Sequence, residues 1–126
     1  MIDIDWNCVE DFTGSVARIS DPVISILVNR TITLGCAFLS HAKKQMTGAT
    51  HVLLSFEAKN NVIIFNFTND KNKPGALKIS LKHNNASIAA KSFFNNFGIN
   101  ALEKKGRYFA ELLSHPQKGD VWAIFL

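Results

Sequence analysis

From Pro22 onward, short β-branched runs alternate with stretches whose apolar residues follow a helical period. Val23 to Val28 and Thr31 to Leu34 lie on either side of Asn29-Arg30, which predicts two strands joined by a turn. In GCAFLSHAKKQM, Phe38, Leu39, Ala42 and Met46 fall at i, i+1, i+4 and i+8, one face of a helix. Thr33 is its N-cap candidate, and Lys43 and Lys44 stand where the negative end of a helix favours cations. HVLLSFE and VIIFNF then flank Ala58 to Asn61, a hairpin pattern.

The same order returns between Gly75 and Leu126. In ALKISLK, Leu77, Ile79 and Leu81 share one face and Lys78, Ser80 and Lys82 the other, as in a strand wet on one side. Asn84-Asn85 is the turn and Ala86 to Ile88 the next strand. Phe93, Phe94 and Phe97 repeat the spacing of Phe38, Leu39 and Ala42, and Gly98 follows as a helix stop. RYFAELL and VWAIFL close the second copy around a longer connection, Ser114 to Asp120. The expected fold is mostly β with two short α-helices. It is a pair of duplicated strand-strand-helix-strand-strand units, residues 22–69 and 75–126, sharing one barrel because about 50 residues bury too little surface alone. Phe38, Leu39, Phe93, Phe94 and Phe97 are core candidates, with Leu77, Ile79 and Leu81. Thr68 to Pro74 is the exposed linker between copies.

The stretch VISILVNRTITLGCAFLSHAKK, continued by THVLLSFEAKNNVIIFNF, is similar to the swapped-hairpin unit of AbrB-type bacterial transition-state regulators. Those units have a basic residue before an Ile-Thr-Leu-Pro-like strand end, then a short helix and a closing hairpin. Here Arg30-Thr31-Ile32-Thr33-Leu34-Gly35 carries an extra residue after the arginine and Gly35 in place of the usual proline, and the second copy lacks the arginine. The resemblance covers about 100 residues through a short, degenerate motif. It implies hairpins that interleave to close an AbrB-like swapped-hairpin barrel, and DNA binding. It also implies a fused pseudo-dimer, similar in plan to the tandem arrangement of MraZ-like proteins.

Composition narrows the picture. The 126 residues are 47% hydrophobic and 19% charged, globular rather than disordered. No apolar run is long enough to span a bilayer, so no membrane partner is expected. The acidic start, MIDIDWNCVED, lacks the basic and apolar regions of a signal peptide, and a cytoplasmic location is expected. Cys8 and Cys36 are then reduced thiols. Charge is divided. Residues 1–21 carry five acids and one base, a net −4, whereas residues 22–126 carry thirteen bases and five acids, a net +8. Residues 1–21 read as an acidic leader that packs on the body through Trp6 and Phe12.

Arg30, Lys78, Lys82, His83 and Lys91 are the candidate nucleic-acid-binding residues, since they stand near the two strand turns and the second helix start. If those turns share one end of a barrel, they form a basic surface for the phosphates of double-stranded DNA. The same cations also suit solubility and protection of strand edges. In that case the chain is a protein-interaction or structural module on the same scaffold. His41, His51, His83 and His115 lack paired metal-ligand spacing, and no cofactor is expected. Glu57, Glu103 and Glu111 form no acid–base pair, and neither a nucleophile nor a phosphate-loop motif is present. No enzymatic activity is expected. The assembly is a monomeric pseudo-dimer or a homodimer.

Overall fold

The computed structural model describes residues 21–82 and 84–126. The packing expected of residues 1–20 lies outside them. In chain order the elements are β1 (Val23–Ile26), β2 (Thr31–Leu34), α1 (Cys36–His41), α2 (Lys43–Met46), β3 (His51–Glu57), β4 (Val62–Thr68), β5 (Leu77–Leu81), β6 (Ala86–Ala89), α3 (Lys91–Phe97), α4 (Ala101–Lys104), β7 (Gly106–Phe109), β8 (Glu111–His115) and β9 (Gly119–Phe125). The molecule is mostly β. Its nine strands form an antiparallel, nearly closed, barrel-like sheet of order β7-β1-β2-β6-β5-β3-β4-β9-β8.

That order alternates hairpins from the two halves of the chain. β1–β2 from the first half lies between β7 and β6 from the second, and β6–β5 lies between β2 and β3. β3–β4 follows, and then β9–β8. The two sheet edges are consecutive in sequence, separated only by Ala110. β7 pairs with β1, β8 pairs with β9, and the Ala110 N–H donates to the Pro22 carbonyl at 2.8 Å. A single bent stretch thus supplies both edge strands of the sheet, each paired on one side.

Period-two alternation decides what fills the interior. Ile26, Ile32, Ile88 and Ile79 are cross-strand partners in one buried row, as are Phe65 with Trp122 and Ile63 with Ile124. Each fully buried Ile or Phe side chain contributes about 1.5–3 kcal/mol of hydrophobic stabilisation. The helices pack against this inner side. Phe38 is fully buried, with its ring 5.1 Å from Trp122 and 6.0 Å from Phe67. Trp122 itself is buried, and its indole N–H donates to Gln45 Oε1 at 3.1 Å.

Several expectations need correction. The first helix is broken at Ala42 (φ −90, ψ 10) into α1 and α2, and its N-cap is Gly35, not Thr33. Thr33 is committed to the β1–β2 and β2–β6 ladders, opposite Ser25 and Ser87. Leu81 is 71% exposed because β5 ends there, past the covered part of the barrel. Phe97 is 44% exposed at the C-terminal end of α3, although its ring still lies 5.1 Å from Phe93 and 5.6 Å from Phe56. Leu39 is only half-buried, whereas Phe38, Phe93 and Phe94 are buried. The connection from Ser114 to Asp120 shrinks to a turn over residues 116–118. There His115 Nδ1 accepts from the N–H groups of Gln117 and Lys118 at 3.0 and 3.1 Å. α4 was not expected; Asn100 starts it, its side chain accepting from the Leu102 and Glu103 N–H groups.

Gly98 ends α3 in the left-handed region (φ 64), as its position implies. Gly35 has a different role: its N–H donates to the Val23 carbonyl at 3.1 Å, a bond that a proline could not make.

Candidate nucleic-acid interface

The outward-facing positions of β7, β1, β2, β6 and β5 form one polar row. Cross-strand pairing joins Arg107 to Ser25, Ser25 to Thr33, Thr33 to Ser87 and Ser87 to Ser80. Directly opposed residues in antiparallel strands share a face, and their strand neighbours Ile24, Ile26, Ile32, Leu34 and Ile88 are the buried ones. The row therefore lies outside. It crosses four strand spacings, about 19 Å along the sheet at about 4.8 Å each. Lys78 lies on the same face of β5 as Ser80, and Lys82 follows the strand's end; both are exposed. Arg107 is exposed at the opposite end. A strip of hydroxyls is thus bracketed by cations that form no ion pair among the described residues.

The five residues singled out from sequence are not gathered as expected. β2 and β6 are antiparallel, with Thr31 opposite Ala89 and Leu34 opposite Ala86. The turn before β2 and the turn before β6 must therefore stand at opposite ends of that ladder. Arg30 and Lys91 lie together at one end, where the Ala90 N–H donates to the Arg30 carbonyl at 3.0 Å. Lys78 is on the same side, one residue before Ile79, the partner of Ile88. Lys82 is at the other end, its N–H on the Asn85 carbonyl at 2.7 Å. His83 lies outside the described residues. Arg30 adopts φ 64, a conformation that only glycine reaches without steric cost. Asn29 closes the turn beside it, its Oδ1 accepting from the Thr31 N–H at 3.1 Å.

Arg107 and the hydroxyl row were missed in the sequence. A signal was present in the alternation Lys105, Arg107, Phe109 around Gly106 and Tyr108. The serines gave none, because isolated hydroxyls on separate strands align only through register.

Beside the row, Ser25, Leu27, Val28, Lys105 and Arg107 line an open cleft of ≈ 620 Å³. Leu27 and Val28 are exposed there, at 41% and 57%. Tyr108 points inward, its hydroxyl donating to the Lys104 carbonyl, and burial raises its pKa above the ordinary value. The outward positions of β3, β4, β8 and β9 differ in charge: they include Glu57 and Glu111 but neither lysine nor arginine. Among the described residues no group of three His, Cys, Asp or Glu is placed to hold a metal ion, and no helix is long and apolar enough to cross a membrane. Comparison with protein-family models, curated proteins and solved structures finds no match for the chain.

Proposed function

We propose that the chain is a DNA-binding protein, regulator-like in character, that meets the duplex backbone with the outer face of β7-β1-β2-β6-β5. The observation that carries this reading is the Arg107-Ser25-Thr33-Ser87-Ser80 row with exposed lysines at its β5 end. Hydroxyls and cations are the usual donors to phosphate oxygens, and the row is about as long as a B-form duplex is wide. The alternation of hairpins from the two halves adds support for the AbrB-like resemblance. Arg30, Lys78 and Lys91 contact phosphates from one end of the face and Lys82 from the other. Arg30, on a turn, is the residue best suited to a base edge.

A second reading, a protein-interaction module, is favoured by the cleft with exposed Leu27 and Val28. Fluorescence anisotropy with random and genomic duplexes, at low and physiological salt, separates the two. The DNA reading requires binding at low salt that weakens steeply as salt rises, because neutralised phosphates release counterions. No binding at low salt by the folded chain leaves the interaction module.

A further inference from the structure

The β1–β7 ladder ends at the pair of Ile26 and Gly106, and beyond it the two chains separate. On the β1 side the backbone turns back on itself. The Leu27 N–H donates to the Thr31 carbonyl at 2.9 Å, and the Arg30 N–H to the Leu27 carbonyl at 3.0 Å. On the β7 side the chain arrives from α4 through Lys105, and the Tyr108 hydroxyl donates to the Lys104 carbonyl at that corner. The open cleft of ≈ 620 Å³ lies where the two diverge. Sites for small molecules run from about 300 to 1,000 Å³. Gly106, at φ 144, has a conformation that other residues rarely adopt, and a Cβ built on it would meet nothing within 4 Å. The space beside the end of the ladder is therefore open.

This cleft has two chemical parts. Leu27 and Val28 give it an apolar wall, exposed at 41% and 57%. Lys105 and Arg107 give it a cationic rim, and Arg107 stands opposite Ser25, whose hydroxyl is a further donor. The described residues lining it include no aspartate or glutamate, and neither cation forms an ion pair among the described residues. A neutral apolar molecule would leave both cations unused, and a fully polar anion would leave Leu27 and Val28 in water. We propose that the cleft binds a small amphipathic carboxylate. Its apolar body lies against Leu27 and Val28, and its head meets Arg107 and Lys105. The guanidinium fork of Arg107 suits a carboxylate bidentately, and Lys105 adds a second, mobile charge. The inference does not rest on DNA binding, although the site shares Arg107 with the hydroxyl row.

Octanoate is the probe, titrated below its micelle-forming concentration into the full, isotope-labelled chain. The amide signals of Leu27, Val28, Gly106 and Arg107 should move and saturate, while those of Ile64 and Ala123 stay. Octanol and octyltrimethylammonium keep the apolar body but lose or reverse the head charge. Each should bind about tenfold more weakly. Lys105→Glu and Arg107→Glu should each weaken octanoate about tenfold and strengthen octyltrimethylammonium. Lys118→Glu makes the same charge change on the turn before β9 and should alter neither. All three positions are exposed, and unmoved amide signals of Ile63 and Trp122 report an intact fold in each variant. Absence of saturating movement at the cleft overturns the proposal. So does octanol binding as tightly as octanoate, or Lys118→Glu weakening octanoate as much as Lys105→Glu.

Discussion

Two arcs of the same wall treat water oppositely. On β7-β1-β2-β6-β5 the outward row reads Arg107, Ser25, Thr33, Ser87, Ser80; on β4-β9-β8 it includes Ile64, Ala123 and Glu111, with Val62 and Val121 beside them. Their inward residues are alike, isoleucines on one arc and Ile63, Phe65, Trp122 and Ile124 on the other. One-sided burial is ordinary for an antiparallel sheet, but an apolar outer face has to be covered. The polar arc is therefore available for a solvated, charged partner, and the apolar arc serves the chain's own stability. Solvated and shielded outer faces are separated around the barrel rather than mixed on each strand.

The largest expected effect tests this division directly. Ala123→Lys places a charge at a sealed position on the apolar arc and should lower stability by on the order of 3 kcal/mol. Ser80→Lys, exposed on the polar arc, should stay within about 0.5 kcal/mol. Urea unfolding midpoints of the two variants measure the difference, and equal midpoints would erase the distinction between the arcs.

Next comes binding. Arg107→Ala, Lys78→Ala, Lys82→Ala and Lys91→Ala should each weaken duplex affinity across all sequences and flatten the salt slope by about one unit. Glu57→Lys, on β3 outside the polar arc, should leave the affinity much less changed than an added charge on the polar arc does. Anisotropy titrations at several salt concentrations give both slope and affinity. Slopes unchanged in all four alanine variants would remove the polar arc from the interface.

Arg30→Gly separates backbone from charge. Relief of the positive φ should hold stability or raise it by up to about 1 kcal/mol, while duplex affinity falls and, if Arg30 reads a base, sequence preference relaxes. Thermal unfolding and competition anisotropy on one preparation distinguish these outcomes. Lost stability would show that the arginine side chain supports the turn.

The smallest effect is alkaline. Burial raises the Tyr108 pKa above its unfolded value of 10.0, so the folded state holds the phenolic proton more tightly. That contribution is complete below the unfolded pKa and is lost as pH rises through the folded one. Tyr108→Phe should flatten the decline in stability above pH 10, and a decline of the same slope in that variant would place its cause elsewhere.

Much of the wall was legible because strand periodicity is local. ALKISLK shows its inward and outward residues directly, and the hairpin around Ala58 to Asn61 needs only its flanking runs. Leu81 and Phe97 departed from their patterns because they sit at element ends, where period gives a direction but not a cover. Asn100 escaped notice because a four-residue helix, α4, has too few turns to display a period. The five cations were recognisable by type, but their grouping followed from strand direction. Lys82 and Arg30 are separated by the antiparallel β2–β6 pairing, which no local pattern encodes.

By itself the amino-acid order determined most of the strands, most of the core and the basic balance of residues 22–126, since each depends on neighbours a few positions away; RYFAELL, which reads as one strand, is two, β7 and β8, divided at Ala110, so the second half carries one strand more than the first. Only the tertiary structure decided that hairpins from the two halves alternate and that Ala110 joins the two sheet edges. It also decided that Arg107, Ser25, Thr33, Ser87 and Ser80 form one row. Cross-strand register sets which distant residues become neighbours, and a slip of one residue would turn each of those hydroxyls to the other face.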